Sequence, residues 1–188
     1  MQAFTLERLS TPTGSILIVT DDEHRVRAVD WEDHEGRMQR LLRLHYGANA
    51  IRMRGAPHPS EARRSLEAYF EGDIDATAGL PVATNGTGFQ RTVWAALRRI
   101  AAGRTVSYGI LAIQIGRPTA TRAVGLANAA NPIAIVVPCH RVVETGMRIG
   151  GYSGGLPMKR LLLGLEGVRV EGGKVTPGQL ELWDRLRE

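Results

Sequence analysis

The stretch SYGILAIQIGRPTATRAVGLANAANPIAIVVPCHRVV, residues 107–143, decides how the chain is built. Its opening, SYGILAIQIG, fits a short helix capped by Ser107. RPTATRAVGLANAAN fits the next, with Pro118 suited to its first turn. Two short helices joined through a tight Gly-Arg-Pro turn form a helix-turn-helix pattern. The second helix carries mostly small side chains (Thr119, Ala120, Thr121, Ala123, Gly125, Ala127), with Arg122 as its one charged exception. Such a helix can approach another surface closely and push its arginine into it, or it can pack inside with a snorkelling arginine. The run IVVPCHRVV, residues 135–143, then reads as a buried strand enclosing Pro138, Cys139, His140 and Arg141.

Upstream, FQRTVWAALRRIAAG places Phe89, Val93, Trp94, Leu97 and Ile100 on one helical face and ends at Gly103. At the start of the chain, FTLERL, SILIVT and HRVRAVDW are β-rich runs divided by the turn-like TPTG and DDE, a β-meander. GRMQRLLRLHYG follows as an amphipathic helix stopped by Gly47, and RGAPHP as a loop. Ser60 can cap a helix over SEARRSLEAYFEG, with Leu66, Tyr69 and Phe70 facing a core. The weakly periodic segment at about residues 73–87 marks the boundary between two domains. The expected fold is α+β: an N-terminal α+β domain over residues 1–80, a mainly helical domain over 86–170, and a tail over 171–188. In the tail, Thr176-Pro177 can begin a last helix.

Charge divides the chain as well. Residues 1–85 hold 10 arginines against 13 carboxylates, whereas residues 86–188 hold 14 basic against 6 acidic residues. The 68 residues between Asp75 and Glu144 carry seven arginines and no carboxylate. That imbalance is the footprint of a polyanion binder, or of a solubilising basic face. Of the 24 basic residues 22 are arginine, a side chain suited to forked phosphate contacts. At 43% hydrophobic and 23% charged the chain can bury a proper core. It begins without the charged start and apolar run of a signal peptide, and no apolar stretch approaches a membrane span, so a soluble cytoplasmic protein is expected.

Cys139 is the only cysteine, which excludes an internal disulfide and any zinc site built on several thiolates. A lone cysteine in an apolar run is either inert filling or a nucleophile. To act, a thiol needs a base or a positive neighbour, because the unperturbed group is mostly protonated at neutral pH. His140 adjoins it, yet neighbours on a strand face opposite ways, so a bridging water or the bend at Pro138 must restore the link. Glu166, after the apolar helix PMKRLLLGL, could fold back and orient the imidazole. GMRIGGYSGGL, residues 146–156, is either the wall of a small pocket or a hairpin turn.

NPIAIVVPCHRVV followed by GGYSGGL and a later K, LL and EG resembles the active-site signature of the O6-alkylguanine-DNA alkyltransferases. GTGFQRTVWAAL, TVSYGILA and ATRAVGLANAANP resemble that family's DNA-binding domain in order and spacing, over about residues 86–168. The first 85 residues are similar only in general plan, a small antiparallel sheet with helices of ribonuclease-H-like layout. The resemblance implies irreversible, stoichiometric transfer of an alkyl group from O6 of guanine, and from O4 of thymine, in a base flipped from duplex DNA. Cys139 would be the acceptor, His140 the base acting through a water, Glu166 its orienting partner, and Asn131 the brace of the turn. Tyr108 would donate a hydrogen bond to the guanine ring. Tyr152, Ser153 and Gly154 would wall the pocket, while the carbonyls of Cys139 and Val142 would read the exocyclic amine. Arg122 would fill the gap left by the flipped nucleotide, its helix lying in the minor groove on Ala123 and Gly125. Gln90, Gly109, Arg117 and Thr145 would touch the DNA backbone. The resemblance implies no cofactor, no metal, no membrane partner and a monomer spent after one transfer.

The chain departs from the family pattern in places. IAAG stands at residues 100–103 where a proline-containing turn is usual, and Met147 and Arg148 add bulk and charge to the pocket loop. No cysteine-rich regulatory module precedes the domain, and Cys139 stands where lesion-binding relatives without the thiol carry tryptophan. Two rivals stand beside this expectation. One is a Cys-His-Glu hydrolase, which would leave the basic helices idle; the other is a DNA-binding regulator whose cysteine only packs.

Overall fold

The computed structural model describes residues 2–48 and 51–176. The helix expected from Pro177 onward lies outside the described residues. Strands β1 (Gln2–Thr11), β2 (Gly14–Asp21) and β3 (Val26–Trp31) form the antiparallel meander that the β-rich runs and turn-like breaks predict. Gly14 makes the first turn with φ of 101°, a backbone open to glycine at no steric cost. A fourth strand, β4 (Ile51–Gly55), pairs parallel to β1 and completes the order β3-β2-β1-β4. IRMRG carries no alternating signal because β4 is an edge strand with nearly every side chain exposed, and charge there discourages further pairing.

Helix α1 (Glu35–Tyr46) buries Met38 and Leu42 against Phe4, Leu17, Val19 and Ala28 on one face of the sheet. Helix α2 (Glu61–Phe70) begins where Ser60 Oγ accepts the Arg63 amide at 3.1 Å, and it buries Leu66 and Tyr69. Its side of the sheet, through Ile16, Ile18 and Val29, merges into one core with Trp94, Leu111, Val124 and Val137. That shared core fixes the sheet against the later helices.

Helix α3 (Gly88–Leu97) opens with a capping box in which Thr87 and Gln90 satisfy each other's backbone amides. Strand β5 (Val106–Ser107) leads into α4 (Tyr108–Gln114), where Ser107 Oγ accepts the Ile110 amide at 3.2 Å. Helix α5 (Thr121–Ala129) starts later than the sequence suggests. Gly116, with φ of 70°, and a turn closed from the Ala120 amide to the Arg117 carbonyl leave Pro118 outside the helix. The Trp94 indole donates to the Ala127 carbonyl at 2.9 Å and locks α3 to the end of α5.

The residues after α5 are drawn across the molecule by β3, whose Val29 amide donates to the Pro132 carbonyl and whose Val29 carbonyl accepts from Ala134. Strand β6 (Val142–Val143) pairs parallel to β5, α6 (Leu156–Leu165) follows, and β7 (Val170–Glu171) and β8 (Lys174–Val175) close a small hairpin. Among the described residues no helix is long and apolar enough to cross a membrane.

Candidate active site

Cys139 does not lie on a strand. Residues 139–141 form a 3-10 turn, entered through Pro138, and regular pairing resumes only at Val142. The reason is local: Pro138 has no amide to give a ladder, and Ile135 sits at φ of 69°, a left-handed conformation costly for a β-branched residue. Asn131 offsets that strain. Its Oδ1 accepts the Ile133 amide at 3.0 Å, and its Nδ2 donates to the Val137 carbonyl at 2.8 Å and toward Cys139 Sγ at 3.1 Å. One buried amide thus shapes the turn and touches the sulfur.

The thiol is 2% exposed. Burial pushes its pKa up, against the opposing pull of the Asn131 hydrogen bond and the positive charges of Arg37 and Lys159. At rest it is therefore a thiol, and a base is needed to make the thiolate. His140 is buried beside it and held neutral, burial outweighing its bond to Glu166. Its Nε2 meets Glu166 Oε1 at 2.8 Å, while its buried Nδ1 has no partner among the described residues. Glu166 accepts only when ionised, so Nε2 carries the proton and Nδ1 keeps its lone pair.

Glu166 ends α6 and is buried. Burial raises its pKa, but bonds from His140 and Arg141 overcome that and hold it at about 2. Arg141 forks onto it, Nη2 to Oε1 at 2.8 Å and Nε to Oε2 at 2.9 Å. The Tyr69 hydroxyl of α2 donates to Oε1 at 2.8 Å, and the Gly103 amide to Oε2 at 3.3 Å.

Tyr152 lies near the thiol, its buried hydroxyl without a hydrogen-bond partner among the described residues and its ring edge-on to Trp31 at 6.1 Å. A thiolate at Cys139 lies close enough to raise the Tyr152 pKa, after the larger effect of burial. Ser153 is half-buried, and Gly154 is obligatory: a Cβ there would sit 2.9 Å from both the Trp31 and Tyr152 rings. Tyr108, the first residue of α4, is half-buried, its pKa raised by burial and then by the charges of Cys139 and Glu144. The two carbonyls expected to face a ligand are partly engaged, Cys139 O by Asn128 Nδ2 at 3.4 Å and Val142 O by Lys159 Nζ at 2.6 Å.

The second group of expected residues lies on the surface. Arg117, Arg122, Ala123 and Thr145 are exposed, and Gly109 and Gly125 are half-buried in α4 and α5. The Gln90 carbonyl oxygen is taken by the capping box, which leaves only its amide nitrogen for another contact.

Four residues of the site are given no role in it by the sequence reading. Arg141 reads there only as one of the residues enclosed by two apolar runs. Lys159 is fully buried, donating to the carbonyls of Val142, Ile149 and Gly151, and burial lowers its pKa to about 8. It stands in the quoted signature as its K, one of two lysines in an arginine-rich chain, but with no role attached to it. Arg37 of α1 ion-pairs with Asp30 and donates to the carbonyls of Ala129 and Asn131, each at 2.9 Å, bracing the end of α5. Tyr69 and Arg37 gave no local sign, since their partners lie 97 and 92–94 positions away. A cavity of about 800 Å³ along Thr5, Glu7, Arg54 and Ser60 does not include the thiol.

Fold and site together define a mixed α+β protein with one buried cysteine set against an asparagine brace and a histidine–glutamate pair. Residues 88–168 match the family model described as the 6-O-methylguanine DNA methyltransferase DNA-binding domain. The chain is 46% identical over 161 residues to the methylated-DNA–protein-cysteine methyltransferase of Salmonella typhimurium, covering 86% of this chain and 94% of that one. It is similar in structure to the O6-methylguanine methyltransferase of Mycobacterium tuberculosis at 33% identity and a TM-score of 0.67, covering 96% and 99% of the two chains. The M. tuberculosis OGT in complex with DNA matches at 33% identity and a TM-score of 0.68, covering 87% and 92%. The chain belongs to the methylated-DNA–protein-cysteine methyltransferase family.

Proposed function

We propose that the protein repairs duplex DNA directly, moving an alkyl group from O6 of guanine, and from O4 of thymine, onto Cys139 Sγ. The observation that carries this is the proton relay: Glu166 fixes the Nε2–H tautomer of His140 and leaves Nδ1 free as the base. In the reaction the thiol proton passes to His140 Nδ1, directly or through one water. The S–C bond forms as the C–O6 bond breaks, and the electron pair leaves on the guanine, whose charge a Tyr108 hydrogen bond offsets. The Glu166 carboxylate stabilises the imidazolium, and that positive charge together with Arg37 and Lys159 makes the thiolate less costly in a buried site. A thioether does not hydrolyse readily, so each molecule acts once.

Arg122 projects from α5 as the residue that fills the vacated stack, with Ala123 and Gly125 letting the helix approach the minor groove. Extrusion of the base costs a few kcal/mol, which duplex contacts must supply. Gln90, Gly109, Arg117 and Thr145 are assigned to the DNA backbone and Ser153 and Gly154 to the pocket wall. The 2% exposure of the sulfur makes entry of the base depend on the glycine-rich segment 150–155 yielding. Helices α4 and α5 serve as the helix-turn-helix, supported by their mutual packing and the acid-free sequence around them. A meander with a fourth strand parallel to its first supports a ribonuclease-H-like plan for residues 1–80, next to a DNA-binding domain over 86–170. The protein is assigned to the cytoplasm as a monomer.

Successive equimolar additions of an O6-methylguanine duplex test the function. The first addition is repaired and the later ones are not, and Cys139→Ser repairs none. Continued turnover would instead mark a hydrolase.

A further inference from the structure

We propose that Leu126 is a second probe into the DNA, an apolar contact seated in the minor groove one helical turn beyond Arg122. The inference rests on the duplex-binding function just proposed.

On α5, Val124, Ala127 and Asn128 are buried, while Thr121, Arg122, Ala123, Leu126 and Ala129 are exposed. Arg122, Leu126 and Ala129, at spacings of four and three, form one outward line on a helix of 3.6 residues per turn. Leu126 is 70% exposed. It stands out because, apart from Arg122 one turn away, the exposed helix neighbours beside it are the alanines Ala123 and Ala129. A single exposed leucine usually needs no explanation. This one lies within the 68 residues that hold seven arginines and no carboxylate, a surface whose charge complements a polyanion. Phosphates bind the arginines; the sugar faces and base edges between them are where an apolar side chain loses water. Minor-groove proteins use leucine in this way, pressing on or between base steps. Arg122 and Leu126 then divide the work: the guanidinium fills the gap, and the leucine supports the distorted duplex beside it.

Duplex affinity measured by fluorescence anisotropy over a salt series, with transfer rates on duplex and on free O6-benzylguanine, tests the role. Leu126→Ala is expected to weaken duplex binding about tenfold. The slope of log affinity against log salt should stay unchanged, because no phosphate contact is lost. Transfer from the free base should keep its wild-type rate, Leu126→Met should restore binding, and Leu126→Asn should not. Leu44→Ala removes a leucine 74% exposed on α1 and should change nothing. Wild-type affinity in Leu126→Ala, an altered salt slope, or an equal loss in Leu44→Ala would overturn the inference. Failure of the wild-type protein to accept a methyl group would instead strike the proposed function itself.

Discussion

Replacing Glu166 by glutamine keeps the shape of the side chain and removes its charge, which exposes how much the relay depends on one carboxylate. The carboxylate is held at about 2 against an ordinary 4.5, a difference worth about 3 kcal/mol of folding stability. A second route gives the same size: removing one member of a buried ion pair costs about 3–5 kcal/mol, and Arg141 would remain 7% exposed with a glutamine amide facing its own N–H groups. Urea unfolding at neutral pH, followed by the fluorescence of buried Trp31 and Trp94, should therefore show Glu166→Gln less stable by about 3 kcal/mol with an unchanged m value. Because the folded carboxyl is depressed, this stability is complete above its ordinary 4.5 and drains away as pH falls toward about 2. The gap between wild type and variant should hold constant from neutral pH to about pH 5 and shrink below it. Transfer to Cys139 should slow as well, since His140 loses the acceptor that fixes its tautomer. A stability gap under about 1 kcal/mol, or one that does not narrow in acid, would refute the account of Glu166 as an ionised hub.

Three more outcomes follow from other contacts. Arg122→Ala should slow repair of duplex DNA with little effect on free O6-benzylguanine, because only the duplex has a stack to fill; equal losses would refute that role. Lys159→Met leaves the buried carbonyls of Val142 and Ile149 without their donor, so denaturation should report a loss of about 2 kcal/mol and rapid-quench assays a slower transfer. Gly154→Ala forces a Cβ to within 2.9 Å of the Trp31 and Tyr152 rings, so Tyr152 must shift and transfer from the free base should fall as well as from duplex.

Much of this molecule was legible from residues alone where the information is local. β-rich runs broken by turn residues wrote the meander, and Ser60 and Ser107 declared their helices by capping chemistry. Most of what escaped is decided at long range, and the rest by backbone conformations that residue types do not announce. β4 exists because β1 offers it an edge, not because IRMRG prefers a strand. The apolar run around Cys139 has strand composition, yet Pro138 and the left-handed Ile135 bend it into a turn that Asn131 stabilises. Within the site, the family resemblance named Cys139, His140, Asn131 and Glu166, and the structure brings these four together. Tyr69 and Arg37 reach the site from the first half of the chain, so the N-terminal helices hold residues of the site in place.

The sulfur of Cys139 is asked to become permanently alkylated by damaged DNA. Peptide mass mapping after incubation with an O6-methylguanine duplex tests this most directly. One methyl group per protein molecule should appear on the peptide that contains Cys139, with unmodified guanine restored in the duplex. An unmodified Cys139 peptide alongside a repaired duplex, or a methyl group carried on any other residue, would contradict it.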